Sequence, residues 1–289
     1  MDKTVGIVGV GNMGGAMAAR LLEQGWRVRV CDIDADKVAA LEALGAVACA
    51  DAASAAEGAQ ALIVCVVDAA QAGQVLFGTG GAAAAMQPGQ TVVLCPTIAP
   101  HDTEGFAQRL SVCSIDTVDA PMSGGPARAR DGSMSLMVAC RNEVFECHTP
   151  LFEALSSKVF RISERCGDGA ATKLVNNLLA GINLVGAAEA MAMAQRLGLR
   201  LETTLDVIEQ SSGQSWIGSD RMRRALGDDY EPRAHVTLLM KDTRLAVEAA
   251  GTAGFTGPLG PAARDVFARA AQAGLAHLDD AALFKLLST

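Results

Sequence analysis

The apolar positions of this chain follow two different rhythms. Up to about residue 165, short continuous apolar runs at residues 4–8, 28–31, 61–67, 91–95 and 114–118 alternate with amphipathic stretches. Runs that are apolar throughout, rather than at every second residue, belong to strands buried on both faces, so they predict a parallel sheet covered by helices on each side. Two further strand candidates, 135–139 and 159–161, flank a helical pattern around 144–156 and are expected to extend the same sheet. Beyond Gly167 the period becomes helical. Residues 170–197 form one long pattern, followed by helices near 201–211, 234–251, 261–273 and 281–287. A helix of about 28 residues spans about 40 Å, long enough to link two domains and to offer apolar surface to another subunit. Its stretch 174–194 contains Asn176, Asn177, Asn183 and Glu189, and reads as a buried helix rather than a membrane span.

The first run leads directly into Gly9-Val10-Gly11-Asn12-Met13-Gly14 and then an amphipathic helix. In a Gly-x-Gly-x-x-Gly turn between strand and helix, the first glycine permits the tight turn and the second admits a pyrophosphate to the backbone. The third lets helix and strand pack closely, and the phosphates meet the helix N-terminus. The second strand ends on Asp32, eighteen residues after Gly14. A carboxylate there accepts hydrogen bonds from the adenosine ribose and repels a 2′-phosphate, which predicts NAD over NADP. No arginine follows Asp32 directly, although Lys37 lies nearby; the alternative is that Asp32 only caps the next helix. The expected fold is α/β: a Rossmann domain with a doubly wound, mostly parallel sheet over residues 1–164. An all-α domain over 165–289 follows, linked by the long interdomain helix.

Composition narrows the partners. The 289 residues are half hydrophobic, enough for two sizeable cores, and no low-complexity tail, internal repeat or flexible linker is evident. A net charge of −8 argues against nucleic acid or an anionic membrane as a general partner. Because a strand begins by residue 4, no signal or transit peptide is expected, and the protein is placed in the cytoplasm. Eight cysteines, all at or before Cys166, are scattered singly; reduced thiols are expected, and no metal site, since Cys140, Cys147 and His148 have poor ligand spacing.

Lys173 and Asn177 stand four apart at the start of the long helix and share a face. The positive end of the helix dipole disfavours an ammonium, and burial disfavours it further, which tunes a lysine toward proton transfer. From spacing alone, an exposed lysine at a helix start is the simpler reading. Asp119-Ala120-Pro121-Met122-Ser123-Gly124-Gly125-Pro126 combines a hydroxyl with two unobstructed backbone amides, a turn able to grip a carboxylate or only to connect two elements. Lys241-Asp242 reads as an ordinary ion pair within a helix. Residues 213–218 lack the spacing and the preceding strand of a nucleophile elbow, which excludes a serine hydrolase.

Four motifs in register along essentially the whole chain resemble the β-hydroxyacid dehydrogenase family: the glycine loop, Pro96-Thr97-Ile98-Ala99-Pro100, the Asp119 to Gly125 segment, and Gly169-x-x-x-Lys173-x-x-x-Asn177. The resemblance implies Lys173 as general acid/base, Asn177 orienting the substrate, and Ser123, Gly124 and Gly125 holding its carboxylate. It also implies Thr97 and Lys241 near the nicotinamide and Val66 and Val67 along the nucleotide. Residues 65–71, the Ala-rich loop after Gly80-Gly81 and Ser215-Trp216 look most like the L-threonate dehydrogenase branch. Asp68 stands where that branch has Asn, Gln214 likewise, and Pro96 where many members have Ser. The implied activity is NAD-dependent oxidation of a small hydroxy acid of the L-threonate or 3-hydroxyisobutyrate class, by a homodimer or homotetramer. One alternative is an NAD(P)H-dependent reductase of glyoxylate, tartronate semialdehyde or succinic semialdehyde. Another is a non-catalytic nucleotide-binding interaction protein, which would be marked by loss of the lysine or of the Ser-Gly-Gly turn.

Overall fold

A computed structural model describes residues 3–288. Among these, nine strands form one sheet: β1 (Thr4–Val8), β2 (Arg27–Cys31), β3 (Val47–Ala48), β4 (Ala61–Val64), β5 (Thr91–Leu94), β6 (Asp116–Asp119), β7 (Met122–Ser123), β8 (Ser135–Ala139) and β9 (Lys158–Ser163). Strands β3, β2, β1, β4, β5 and β6 lie side by side in that order and all run parallel. Their order reverses at β1, so the crevice above the carboxyl ends of β1 and β4 is the switch point where such sheets bind ligands. The expected mostly parallel sheet is present, and both later candidates extend it. Strands β6 and β7 run antiparallel along one edge of β8, while β9 runs parallel along the other.

Alternating side chains divide each central strand between two cores. Val5 and Ile7 of β1 and Ile63 of β4 pack with Met17, Ala18 and Leu21 of α1 (Asn12–Glu23). On the other face Val8, Leu62 and Val64 pack with α3 (Ala52–Ala56), α4 (Ala69–Phe77) and α5 (Pro100–Ser111). This two-sided burial is what made the strands read as unbroken apolar runs. The remaining helices of this part are α2 (Ala35–Glu42), α6 (Gly125–Asp131) and α7 (Asn142–Leu155).

Several boundaries differ from the sequence reading. Residues 65–67 leave the strand and form a loop, and β6 begins only at Asp116, because Ser114 turns the chain at φ 57°. Two-residue strands β3 and β7 are too short to give a pattern.

The chain divides into two compact units with the boundary between Lys173 and Leu174. The second is helical: the long α8 (Asp168–Arg196) continues into it, followed by α9 (Leu201–Glu209), α10 (Trp216–Leu226), α11 (Val236–Thr252), α12 (Leu259–Ala270) and α13 (Leu283–Ser288). Helix α10 carries too many polar residues to stand out in the sequence; Ser215 starts it by accepting the Gly218 N–H at 3.1 Å. By length and composition α8 would suffice to cross a membrane, but Leu184, Ala188 and Met191 are fully enclosed in the core of the helical unit. Near the C-terminus, Asp279 is inaccessible and accepts from the backbone N–H groups of Arg233, Ala234 and Ala281 while pairing with Arg224 at 2.8 Å.

Candidate active site

Parallel strands bring their loops to one edge, and those after β1, β2, β4 and β5 carry or lead into the residues predicted to bind the cofactor, Lys241 apart. The loop after β1 holds the glycines. Gly9 adopts φ +88°, and a Cβ on Gly14 would lie 1.9 Å from the Gly9 carbonyl oxygen, so the third glycine is required for α1 to meet β1. A Cβ on Gly11 would meet nothing within 4 Å. Nothing inside the protein requires a glycine at that position, which fits a backbone approached from outside by a pyrophosphate at the N-terminus of α1.

Asp32, just beyond β2, does not cap the next helix; Asp34 does, accepting the Asp36 N–H. Asp32 instead accepts the Val10 N–H at 2.6 Å through Oδ2 and the Asp34 N–H at 2.9 Å through Oδ1. Each oxygen retains acceptor capacity for a ribose hydroxyl. Lys37 is paired with Asp34 at 2.9 Å. After β4 come Val66 and Val67, the latter with its N–H bonded to the Gln71 side chain at 3.0 Å. Asp68 caps α4 by accepting the Gln71 N–H at 2.8 Å, a task an asparagine performs equally well. Thr97 follows β5, half-buried.

Ser123 ends β7, and Gly124 (φ +132°) and Gly125 (φ +74°) turn the chain into α6. Both glycines occupy backbone regions that a side chain disfavours. Upstream, Asp119 at the end of β6 is buried, and burial raises its carboxyl to about 6 against the lowering effect of nearby backbone amides. Its Oδ2 accepts from Gly167 N at 2.8 Å and Ala170 N at 3.0 Å, at the start of α8. Nothing local in the sequence assigns Asp119 a role; Gly169, whose Cβ would sit 2.9 Å from the Asp119 carboxyl carbon, is the one trace the contact leaves there. Lys173, one turn further along α8, is only 7% exposed. Cys65 and Cys166 are held protonated by burial, each pushed up to about 12, which removes them as nucleophiles.

In the helical unit Asn177 is buried and donates from Nδ2 to Asp242 Oδ2 at 2.6 Å, while its Oδ1 accepts from Asn176 at 3.0 Å. One N–H and one lone pair of its amide remain for a ligand. Lys241 lies 2.8 Å from Asp242 Oδ1, so the expected ion pair between neighbours forms, and it shares its carboxylate with Asn177. Asp242 was not singled out as a partner of Asn177, because the two are 65 residues apart.

Fold and glycine loop define a dinucleotide-binding protein, and comparison with known proteins narrows the class to a nicotinamide-dependent oxidoreductase. Residues 4–163 match the NAD binding domain of 6-phosphogluconate dehydrogenase, and residues 167–287 match the NAD-binding domain of NADP-dependent 3-hydroxyisobutyrate dehydrogenase. L-threonate dehydrogenase of Escherichia coli K12 is 38% identical over 98% of this chain and 94% of its own length. The 3-hydroxyisobutyrate dehydrogenase of Pseudomonas aeruginosa is 32% identical over 98% and 97%. A crystal structure of 3-hydroxyisobutyrate dehydrogenase from Salmonella typhimurium superposes with a TM-score of 0.93 at 37% identity, covering 99% of this chain and 100% of that one. The chain therefore belongs to the β-hydroxyacid dehydrogenase family, as its four motifs indicated.

Proposed function

We propose that this protein oxidises a small hydroxy acid of the L-threonate or 3-hydroxyisobutyrate class with NAD⁺, using Lys173 as the general base. The substrate carboxylate is held by the Ser123 hydroxyl and the backbone amides of Gly124 and Gly125. Lys173 takes the proton of the reacting hydroxyl, and Asn177 orients the substrate through its remaining N–H or lone pair. By family resemblance Thr97 and Lys241 are assigned to the nicotinamide, and Val10, Asn12, Met13, Val66 and Val67 to the rest of the nucleotide. Residues 9–14 and Asp32 would hold the dinucleotide, which would supply the hydride acceptor. With the hydroxyl proton on Lys173 and the hydride removed from the same carbinol, the product is a carbonyl, so atoms and charge balance.

The burial of Lys173 near the start of α8, a few residues beyond the Gly167 turn held by Asp119, supports this reading most strongly, since an amine withdrawn from bulk water is placed for proton transfer rather than for solvation. Asp32 supports NAD over NADP because a carboxylate bordering the ribose repels a 2′-phosphate. The active form is a homodimer or homotetramer, a reading supported by Val175, Leu179 and Met193, which remain largely exposed on α8. Incubation with NAD⁺ or NADP⁺ and a panel of L-threonate, D-threonate, 3-hydroxyisobutyrate, D-glycerate and L-serine, followed by reduced-nicotinamide absorbance, tests the activity. NAD-linked turnover of one acid is expected; silence with both cofactors across the panel would overturn it.

A further inference from the structure

Helix α8 begins at a glycine, which has no side chain of its own to cap it. The Gly167 carbonyl accepts the first helical bond, from Ala171 N–H at 2.8 Å, so Gly167 occupies the cap position, at φ +103°. The capping task is to accept the N–H three residues on, that of Ala170. Here Asp119 Oδ2 accepts it at 3.0 Å, together with the Gly167 N–H at 2.8 Å, from the end of β6, some fifty residues earlier in the chain. Gly169 has no side chain to obstruct the carboxylate, which its Cβ would approach to 2.9 Å. The two motifs, Asp119-Ala-Pro and Gly169-x-x-x-Lys173, are thus joined by direct contact.

We propose that Asp119 is a positioning residue for the reaction: it caps α8 from outside the helix and fixes the first turn that aims Lys173, four residues after Gly169. This rests on the assignment of Lys173 above. The helix N-terminus and its N–H groups offset part of what burial costs this carboxylate, and it joins the start of α8 to the strand that leads to Ser123. A shift of the first turn by about 1 Å is enough to reduce turnover about 100-fold while leaving the cofactor loop untouched.

The test uses the full-length protein with the hydroxy acid identified by the panel. Asp119→Ala is expected to lower kcat by about 100-fold with NADH affinity unchanged. Asp119→Asn, whose amide oxygen can still accept both N–H groups, retains most of kcat. Gly169→Ala should behave like Asp119→Ala, since it displaces the carboxylate while adding a residue that favours helix; it decides the matter if Asp119→Ala does not fold. A merely structural role would instead lower thermal stability, cofactor affinity and turnover together, without rescue by Asn. Lys173→Ala, run in parallel, separates the two assignments. If it retains turnover, the role of the lysine fails; if it is inactive while Asp119→Ala and Gly169→Ala turn over normally, only the positioning role of Asp119 is overturned.

Discussion

Val10 and Asp32 are joined by a 2.6 Å hydrogen bond from the backbone N–H of the glycine loop to the carboxylate at the end of β2. One side chain therefore shapes the glycine turn and, in the proposed reading, also borders the ribose. Replacing Asp32 by Ser together with Ile33→Arg should move the ratio of kcat/KM for NAD⁺ over NADP⁺ by about 100-fold, or 2.7 kcal/mol, toward NADP⁺. Ile33 is fully exposed and its loss costs no packing. Equal use of both cofactors by the unmodified protein would contradict the role given to Asp32.

Gly11 and Gly14 should separate binding from folding. Gly14→Ala forces a Cβ against the Gly9 carbonyl and is expected to cost about 2–3 kcal/mol of stability. Gly11→Ala meets no protein atom, so its thermal unfolding should match wild type within about 1 kcal/mol while NADH affinity falls about tenfold. Differential scanning calorimetry and fluorescence titration read the two quantities.

Asp119 also makes a prediction about pH. Its carboxyl is held near 6 in the folded chain against an ordinary 3.8, so the folded state binds the proton more tightly. That stabilisation is complete below about 3.8 and is lost as pH rises through about 6, an effect on the order of 3 kcal/mol. The groups facing it are the backbone N–H groups of Gly167, Gly169 and Ala170, the Asp168 carboxylate, and the thiols of Cys95 and Cys166, both pushed up by burial. Asp119→Asn should therefore be no less stable than wild type at pH 8 and should lose part of the gain on acidification. Because Asp280 is also raised, to about 7, the difference between the two proteins is the quantity to measure.

In the helical unit, Asp279→Ala leaves Arg224 buried without its 2.8 Å partner and removes the acceptor for three backbone N–H groups. A loss of about 3–5 kcal/mol is expected in urea unfolding, and a value below 1 kcal/mol would contradict the picture of a buried ionic clasp.

Most of the first unit was legible because two-sided burial leaves unbroken apolar runs, and the glycine loop has a local steric logic. What sequence could not give depends on contacts between distant residues. Asp119 meets the start of α8 from some fifty residues away, and Asn177 meets Asp242 from 65 residues away. Neither partnership has a local period or spacing to betray it. By spacing Lys173 is an ordinary lysine, and the role proposed for it comes from resemblance; its burial is the independent observation that supports that proposal.

In the proposed reaction Lys173 moves the substrate proton. The most direct measurement is NAD⁺-linked turnover by Lys173→Ala beside wild type, with NADH binding followed by fluorescence on the same samples. Turnover should fall by about 10²–10⁴-fold with NADH affinity unchanged; near-normal turnover in the variant would contradict the account.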